Sequence, residues 1–308
     1  MRRDCGISTR LSRSSRPSQH RRSDTVGGVR AANSFRNRAS SKMTQPQRTI
    51  VLGAAGQVGS SLVQQLGENG IGITREDADI TDRAALYRAL EGAGPAVALI
   101  NAAAFTDVER AESKRDLAFA VNADAASWVA AWAAERNLPF VHYSTDYVFP
   151  DGGDHFWRED DPTSPLNAYG ESKCAGEVAV RDAYPDSVII RTSWVYSEQP
   201  GNFVRKVLQL AKSAAPLTMV SDQIGRPTFA PDLARAALRI TQDAALRLHI
   251  HGGVLHLASG AAVSRSDFAR AIIDVAVAEG VLSQAVSVVD TTSDRYVTAA
   301  RRPLHCVL

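Results

Sequence analysis

The 308-residue chain has few cysteines and no long apolar run. Its three cysteines, Cys5, Cys174 and Cys306, lie far apart, which argues against a disulfide framework and a zinc site and favours a reducing compartment. No stretch approaches the ~20 consecutive apolar residues of a membrane span. His249 and His251 stand close together in an expected strand, but the histidines show no metal-ligand spacing. We therefore expect a cytoplasmic protein without a metal site or a membrane partner.

Acidic residues are scarce in the first part of the chain. Residues 1–42 carry ten Arg and one Lys against two Asp, a net charge of +9, whereas the remainder carries 24 basic and 31 acidic residues, a net charge of −7. The first segment lacks apolar periodicity, so we expect a disordered basic extension. Met43 is then the expected natural start, with an organellar transit peptide or a functional basic tail as alternatives. The acidic remainder argues against a nucleic-acid partner.

From Thr49 onwards, short apolar runs alternate with segments of helical periodicity. The pattern predicts strands at 49–52, 71–74, 97–101, 140–144, 188–191, 218–220, 254–258 and 286–289. It predicts helices at 58–68, 83–91, 116–137, 169–183, 203–213, 231–247 and 264–279. Asp82 is the expected N-cap of the helix at 83–91, and the helix at 116–137 is expected to carry Leu117, Val121, Trp128 and Trp132 on one apolar stripe. This order indicates an α/β fold with a doubly wound parallel sheet of Rossmann type. We expect a dinucleotide-binding domain at 43–192 and a smaller, mainly substrate-binding C-terminal domain at 193–308, with one or two elements returning to the main sheet.

A glycine-rich loop follows the first predicted strand. Gly53, Gly56 and Gly59 have the spacing that lets a backbone turn tightly and approach a pyrophosphate at a helix N-terminus. At the end of the second strand, Arg75 could meet the 2′-phosphate of NADPH, and the two acidic residues after it could meet the hydroxyl of NADH. The pattern leaves both cofactors open, and we expect a modest preference for NADPH.

A tyrosine and a lysine stand four residues apart on a predicted helix. This spacing places Tyr169 and Lys173 on one face, and an ammonium beside a phenol is expected to lower the tyrosine pKa from ~10. Such a pair suits a general acid/base for carbonyl–alcohol interconversion. Ser144 and Thr145 end the fourth strand, where α/β sheets bind ligands and where a hydroxyl can polarise the same carbonyl oxygen. The long polar loop 146–167 is expected to be functional.

Longer strings around these residues resemble the dTDP-4-dehydrorhamnose reductase family of the extended short-chain dehydrogenase/reductase superfamily. The strings are Asn101-Ala-Ala-Ala-Phe-Thr106, Ser144-Thr-Asp-Tyr-Val-Phe149, Ser164-Pro-Leu-Asn-Ala-Tyr-Gly170, Arg191-Thr-Ser-Trp-Val-Tyr196 and Asp222-Gln-Ile-Gly-Arg-Pro-Thr228. The resemblance covers about residues 48–303. It implies an oxidoreductase that uses NADPH or NADH to reduce the C4 ketone of dTDP-6-deoxy-L-lyxo-4-hexulose to dTDP-L-rhamnose, the last step of dTDP-rhamnose biosynthesis.

The same resemblance implies roles for individual residues. Tyr169 would donate the proton, Lys173 would be its partner, and Thr145 would complete the catalytic set. Cofactor contacts are implied for Gly53, Gly56, Gln57, Val58, Gly59, Asp79, Ile80, Ala102, Ala103, Thr106, Tyr169 and Lys173. Substrate contacts are implied for Ser144, Thr145, Trp194, Gln223 and Thr228. The alternatives are a helix start for Asp79 and Ile80, a core position for Trp194 and an ordinary loop position for Gln223.

The chain also departs from the family pattern. Phe105 stands where members often have Tyr or His, and residues 302–308 shorten a C-terminal string of the family, so we expect a truncated substrate side. Some members form a dimer through acidic residues and magnesium; we find no matching set, which allows a homodimer without metal. The alternative functions are a non-catalytic NAD(P)-binding regulatory subunit and a sibling nucleotide-sugar epimerase or dehydratase. The intact Tyr169, Lys173 and Thr145 favour a catalyst.

Overall fold

The computed structural model describes residues 47–245, 252–296 and 298–308. The expectations for residues 1–42, Met43, His249 and His251 lie outside the described residues. The main sheet contains six parallel strands in the spatial order β2-β1-β3-β4-β5-β10. These strands are β1 (Thr49–Leu52), β2 (Gly70–Ile73), β3 (Ala98–Asn101), β4 (Phe140–Thr145), β5 (Val188–Thr192) and β10 (Gly253–His256).

Helices connect these strands and cover the sheet. They are α1 (Gln57–Leu66), α2 (Arg83–Gly92), α3 (Val108–Ser113), α4 (Arg115–Phe119), α5 (Ala125–Glu135), α6 (Ala168–Ala183), α7 (Phe203–Ala211), α8 (Ala230–Ala245) and α9 (Arg265–Ala278). The remaining described strands are short and pair outside the main sheet: β6 (Val195–Tyr196), β7 (Leu217–Val220), β8 (Ile224–Gly225), β9 (Thr228–Phe229), β11 (Val263–Ser264) and β12 (Val288–Thr291). The predicted N-cap of α2 is confirmed, because the Asp82 carboxylate accepts from the backbone N–H groups of Ala84 and Ala85.

Both faces of the main sheet are buried, as a parallel sheet requires. One face packs against α2 and α5, through side chains such as Ile50, Leu90 and Val129. The other face packs against α1 and α8, through side chains such as Val51 and Leu233. The prediction that C-terminal elements return to the main sheet is confirmed, because β10 extends its edge and α8 covers one face.

The predicted helix at 116–137 is interrupted. A π-helical turn, Ala120–Asp124, joins α4 to α5, and its extra residue shifts the apolar stripe. Leu117, which we expected on the buried stripe, is consequently 42% exposed, whereas Trp132 is buried. The span 115–135 is long and apolar enough to cross a membrane by length and composition, contrary to our expectation. Half of its most apolar window is buried in this protein, however, which is typical of a core helix.

A separate apolar cluster lies in the C-terminal part of the chain. It joins α7 and α9 to β7 and β12, with Val207, Leu217 and Ile273 among its buried members. These elements derive from four separate stretches between residues 203 and 291, so the cluster depends on contacts between distant parts of the sequence.

The C-terminal segment, residues 298–308, joins β8 to the loop that follows β4. His305 pairs with Ile224 of β8, and Val307 pairs with Phe156 in the loop after β4. The carbonyl of Arg301 accepts from the side-chain amide of Asn167, the N-cap residue of α6, at 2.8 Å. The segment therefore forms one border of the region where β4, β8 and α6 meet.

Candidate active site

The loop between β1 and α1 lies at the topological switch point of the sheet. β2 pairs with one side of β1, and the chain then crosses over so that β3 pairs with the other side. Gly53 has φ +75°, and a Cβ there would lie 2.6 Å from the backbone nitrogen of Ala103. A Cβ at Gly59 would lie 2.1 Å from the carbonyl oxygen of Gly53. Gly56 caps α1 without any side-chain hydrogen bond, which leaves first-turn N–H groups available to an anion. This cradle fits the pyrophosphate of a dinucleotide.

The other predicted cofactor residues surround this loop in different ways. The Oε1 atom of Gln57 accepts from the Ser197 hydroxyl at 3.1 Å, and Val58 packs on the core beside β1. Ala102 donates its N–H to the carbonyl of Leu52, so the turn after β3 lies against the glycine loop. Thr106 is exposed farther along the same turn.

In the turn after β2, the carboxylates of Asp77 and Asp79 are engaged by neighbouring residues, whereas Arg75 is exposed. The Asp77 carboxylate accepts from the N–H and the hydroxyl of Thr74, both at 2.8 Å, and these hydrogen bonds lower its pKa. The Asp79 carboxylate accepts in the same way from Thr81, and Ile80 packs against the core. Asp77 is therefore engaged in its own turn, whereas Arg75 is exposed beside it.

Tyr169 lies in the first turn of α6, and the next residue, Gly170, lets this turn approach the turn after β4 closely. A Cβ at Gly170 would lie 2.2 Å from the carbonyl oxygen of Tyr147. The Tyr169 hydroxyl lies near enough to the Thr145 hydroxyl, at the end of β4, for that hydroxyl to lower its pKa, and the Thr145 hydroxyl donates to Asp146 at 3.0 Å. The structure thus brings the predicted catalytic residues Tyr169 and Thr145 together.

The environment of Tyr169 corrects one expectation. Burial raises the pKa of its hydroxyl, the Thr145 hydrogen bond opposes this shift, and the charge of Lys173 is not among its causes. The Lys173 ammonium instead donates to the carbonyl of Tyr143 at 2.7 Å and lies 3.3 Å from Nε2 of His142. Burial lowers the pKa of Lys173 to about 8, and the nearby Glu177 carboxylate opposes this shift.

Polar side chains between β4 and α6 form what we call the α6 network. Its members are Asn101, His142, Ser144, Lys173, Glu177 and Arg191. His142 and Ser144 are two residues apart on β4, so their side chains point to the same face of the sheet. The Ser144 hydroxyl donates to Glu177, so it faces α6, although we predicted that it contacts substrate. Glu177 in turn pairs with Arg191 at 2.7 Å, and both side chains are buried.

Two members of this network were missed by the sequence analysis. His142 was not singled out, although its two-residue spacing from Ser144 in a strand was a usable signal. Its Nδ1 lies 3.1 Å from the side-chain amide of Asn101. Glu177 stands four residues after Lys173, the spacing that places two side chains on one helix face. Its partner Arg191 lies on β5, and that contact has no local sequence signal.

Asp146 is a buried carboxyl group beside the catalytic pair. Its Oδ1 accepts from Thr145, whereas its Oδ2 has no hydrogen-bond partner among the described residues. Burial raises its pKa to about 7, and the Thr145 hydrogen bond and the charge of Arg265 oppose this shift. The site therefore holds a carboxyl group that titrates near neutral pH.

A cavity of about 1500 Å³ lies on the substrate side. We call it the substrate cavity, and its lining includes Gln223, Arg265 and Arg302. The side-chain amide of the predicted Gln223 donates to the Ser293 hydroxyl at 3.0 Å. The predicted Thr228 is buried behind this surface, where its hydroxyl donates to the carbonyl of Arg226.

Trp194, which packs on the cavity residue Arg265, has an unusual backbone conformation. Its φ is +42°, a region that a bulky residue rarely adopts and that often accompanies functional sites. A Cβ at Gly225 would lie 2.5 Å from the Trp194 ring, so only glycine permits this packing. The guanidinium carbon of Arg265 lies 3.5 Å from the ring centroid on the indole. Trp194 therefore holds Arg265 at the cavity, a contact that the sequence did not predict.

Comparisons with known proteins agree with this architecture. The family described as "RmlD substrate binding domain" matches residues 47–308. The dTDP-4-dehydrorhamnose reductase of Aggregatibacter actinomycetemcomitans is 37% identical over 265 residues, which are 85% of this chain and 90% of that protein. The crystal structure of dTDP-4-dehydrorhamnose reductase from Bacillus anthracis in complex with NADP has a TM-score of 0.77 and 30% identity, covering 85% of this chain and 90% of that one.

A second solved structure is similarly close. The dTDP-4-dehydrorhamnose reductase ortholog from Clostridium acetobutylicum has a TM-score of 0.76 and 33% identity, covering 85% of this chain and 89% of that chain. Sequence and fold thus agree over the same large share of the chain.

Proposed function

This chain belongs to the RmlD family of dTDP-4-dehydrorhamnose reductases, and we propose that it reduces the C4 ketone of a dTDP-linked 4-keto-6-deoxy sugar to the alcohol. The product is dTDP-L-rhamnose, so the reaction is the last step of dTDP-rhamnose biosynthesis. The observation that carries this proposal is the proximity of the Tyr169 and Thr145 hydroxyls, which lie where α6 begins and β4 ends.

Tyr169 is the proton donor in this proposal. A reduction needs a general acid that keeps its proton until the carbonyl oxygen develops negative charge. Burial raises the pKa of Tyr169, so its hydroxyl is protonated at neutral pH and carries a proton to give. Thr145 orients that hydroxyl, while its own proton is donated to Asp146. The proton forms the O–H bond of the product and leaves Tyr169 as a phenolate.

Lys173 has a positioning role in this proposal. Its ammonium is held by the Tyr143 carbonyl, and its pKa of about 8 leaves it mostly protonated at neutral pH. This contact joins α6, which carries Tyr169, to β4, which ends in Thr145. The family resemblance also assigns the ammonium to the ribose of the cofactor.

The nicotinamide cofactor, when bound, would supply the hydride for C4. Gly53, Gly56 and Gly59 would hold its pyrophosphate, and Ala102 and Ala103 would line its channel. The proposal includes that the enzyme uses both NADPH and NADH, with a modest preference for NADPH. Arg75 is exposed and can meet the 2′-phosphate, while Asp77 is engaged by Thr74 and competes less for that position.

The direct test follows NADPH absorbance with the dTDP-linked 4-keto-6-deoxy sugar and the full chain. We expect oxidation of one NADPH for each sugar reduced, with dTDP-L-rhamnose as the product. The control replaces the keto sugar with dTDP-glucose, which a dehydratase would convert and this enzyme should not. No oxidation of NADPH or NADH with the keto sugar would contradict the proposal.

The proposal also covers location and assembly. A cytoplasmic location is supported by Cys174 and Cys306, which are free thiols. A homodimer stays a prediction of the family resemblance, and sedimentation of the full chain tests it.

A further inference from the structure

Arg265 is a cation that the protein has enclosed without an ionic partner. Among the described residues, no carboxylate lies within 4.0 Å of its guanidinium, the criterion for an ion pair. Burial lowers its pKa, and the nearby Tyr147 hydroxyl and Asp146 carboxyl oppose this shift without forming an ion pair. An enclosed charge that lacks an ion pair is costly unless a ligand supplies one.

Aromatic rings fix the guanidinium in the substrate cavity. Its carbon lies 3.5 Å from the Trp194 ring centroid and 5.2 Å from that of Phe203. Stacking on a ring occupies the face of the guanidinium and leaves the N–H groups of its edge free to donate. Because Arg265 lines the cavity, those donors are available to a bound molecule.

The electrostatics around Arg265 favour an anion. Arg302 lies near enough to lower the pKa of Arg265 by charge repulsion, and it also lines the cavity. Arg302 is partly neutralised by Glu109, at 2.6 Å, whereas Arg265 is not. An anion in the cavity would therefore relieve the repulsion and pair first with Arg265.

The distance from the proton donor indicates which part of the substrate this anion is. Tyr147, whose hydroxyl lies near enough to Arg265 to affect its pKa, packs edge-to-face on Tyr169 with ring centroids 5.8 Å apart. One aromatic side chain thus separates the guanidinium from Tyr169. In a pyranose, C4 and the phosphate-bearing C1 are on opposite sides of one ring, so the sugar-bearing phosphate fits this separation.

We propose that Arg265 binds the sugar-bearing phosphate of the substrate and so places C4 of the sugar at Tyr169. This inference rests on the proposed function, since it assumes a nucleoside diphospho-sugar. A guanidinium suits the role because its planar fork donates two parallel hydrogen bonds to a phosphate. Lysine would keep the charge but would lose the fork and the stacking on Trp194.

The experiment compares dTDP, which has this phosphate, with dTMP, which lacks it. We measure both dissociation constants by calorimetry for the full chain, for Arg265→Met and for Arg265→Lys, with NADP⁺ present. In Arg265→Met we expect dTDP to bind ~10- to 100-fold more weakly, as for loss of a charged hydrogen bond. The affinity for dTMP should be almost unchanged, and Arg265→Lys should be intermediate for dTDP.

Arg270→Met is the matched control. Arg270 lies on the same helix, but it pairs with Asp267 and Asp290 and does not line the cavity. This variant should bind dTDP like the wild type. NADPH binding and melting temperature are recorded for every variant, so that a folding defect is recognised, in which case Arg265→Lys carries the comparison.

The outcomes separate this inference from the proposed function. Unchanged dTDP affinity in Arg265→Met, with a wild type that turns over the keto sugar, overturns the role of Arg265 alone. An equal loss of dTDP and dTMP affinity overturns the assignment to the sugar-bearing phosphate. A wild type that binds no dTDP and reduces no dTDP-sugar overturns both.

Discussion

The α6 network and the substrate cavity treat charged side chains in opposite ways. In the network, Glu177 and Arg191 are buried and joined by two hydrogen bonds, and Ser144 donates to the same carboxylate. In the cavity, Arg265 is enclosed by aromatic rings and forms no ion pair with the described residues. The difference reflects two tasks. A proton donor needs a rigid support whose polar groups are satisfied, whereas recognition of a charged ligand needs donors that the protein leaves unsatisfied.

The largest expected effect removes the proton donor that stands between the two regions. Tyr169→Phe deletes the hydroxyl that contacts Thr145 and leaves both regions in place. We expect kcat for the keto sugar to fall ~10²- to 10⁴-fold, the usual contribution of general acid catalysis. NADPH binding, measured by fluorescence titration, should be unchanged. A rise in KM with a normal kcat would instead assign Tyr169 to substrate binding.

The second prediction leaves the α6 network with an enclosed arginine that has no ion pair, as the cavity has in Arg265. Glu177→Gln removes the charge that pairs with Arg191 and leaves a buried, uncompensated guanidinium. We expect the free energy of unfolding, measured with urea, to fall by ~3–5 kcal/mol. The control is Asp243→Asn, which breaks the pair with the 73%-exposed Arg239 and should cost less than ~1 kcal/mol. Equal losses in the two variants would refute the contrast between an enclosed and an exposed pair.

The third prediction concerns Asp146, which lies between the network and the cavity. Its pKa is about 7 in the fold against an ordinary 3.8, so the folded protein keeps a proton that the unfolded chain has lost. Stability therefore falls as pH rises from about 4 to about 7, by up to ~4 kcal/mol at ~1.36 kcal/mol per pKa unit, and no further above it.

Asp146→Asn removes this titration and keeps an oxygen for Thr145. Relative to the wild type, the variant should gain stability between pH 4.5 and pH 8, as measured by urea unfolding at both values. In the difference between the two free energies of unfolding, the contributions of the other titrating groups cancel. A difference that is constant with pH would mean that Asp146 is already ionised at the lower pH.

The smallest expected effect concerns an exposed cation, and it sharpens the contrast with Arg265. Arg75 lies at the surface, where solvent weakens its attraction for a 2′-phosphate. We expect a preference for NADPH over NADH of roughly three- to thirtyfold in kcat/KM, which Arg75→Ala should shrink. Kinetics with NADH should stay almost the same. An equal loss with both cofactors would mean that Arg75 does not face the 2′ position.

The sequence could predict the parts of the fold that depend on local patterns. The strands of the main sheet, the glycine loop and the Asp82 cap follow from runs of neighbouring residues, and all are observed. Tyr169 and Lys173 were predicted for the same reason, because their spacing alone places them on one helix face.

The rest could not be predicted, because it depends on long-range contacts. Arg265 meets Trp194 across 71 positions of the chain, and no spacing rule connects them. The role of Lys173 was expected to be a direct effect on the tyrosine pKa, but its position is set by His142 and by the backbone of β4. The expected burial of Leu117 was wrong, because one π-helical turn changes which of the preceding side chains face the core.

The C-terminal segment has a consequence for the order in which the protein gains its properties. Ala300 contacts Glu109 across 191 residues, and His305 contacts Asp151 across 154. Closing such long loops costs entropy, and topologies rich in distant contacts fold slowly. The glycine cradle, by contrast, needs only β1, α1 and their neighbours. During refolding from urea, we expect NADPH binding to return first and dTDP binding to lag behind it, when the segment joins β8 to the loop after β4.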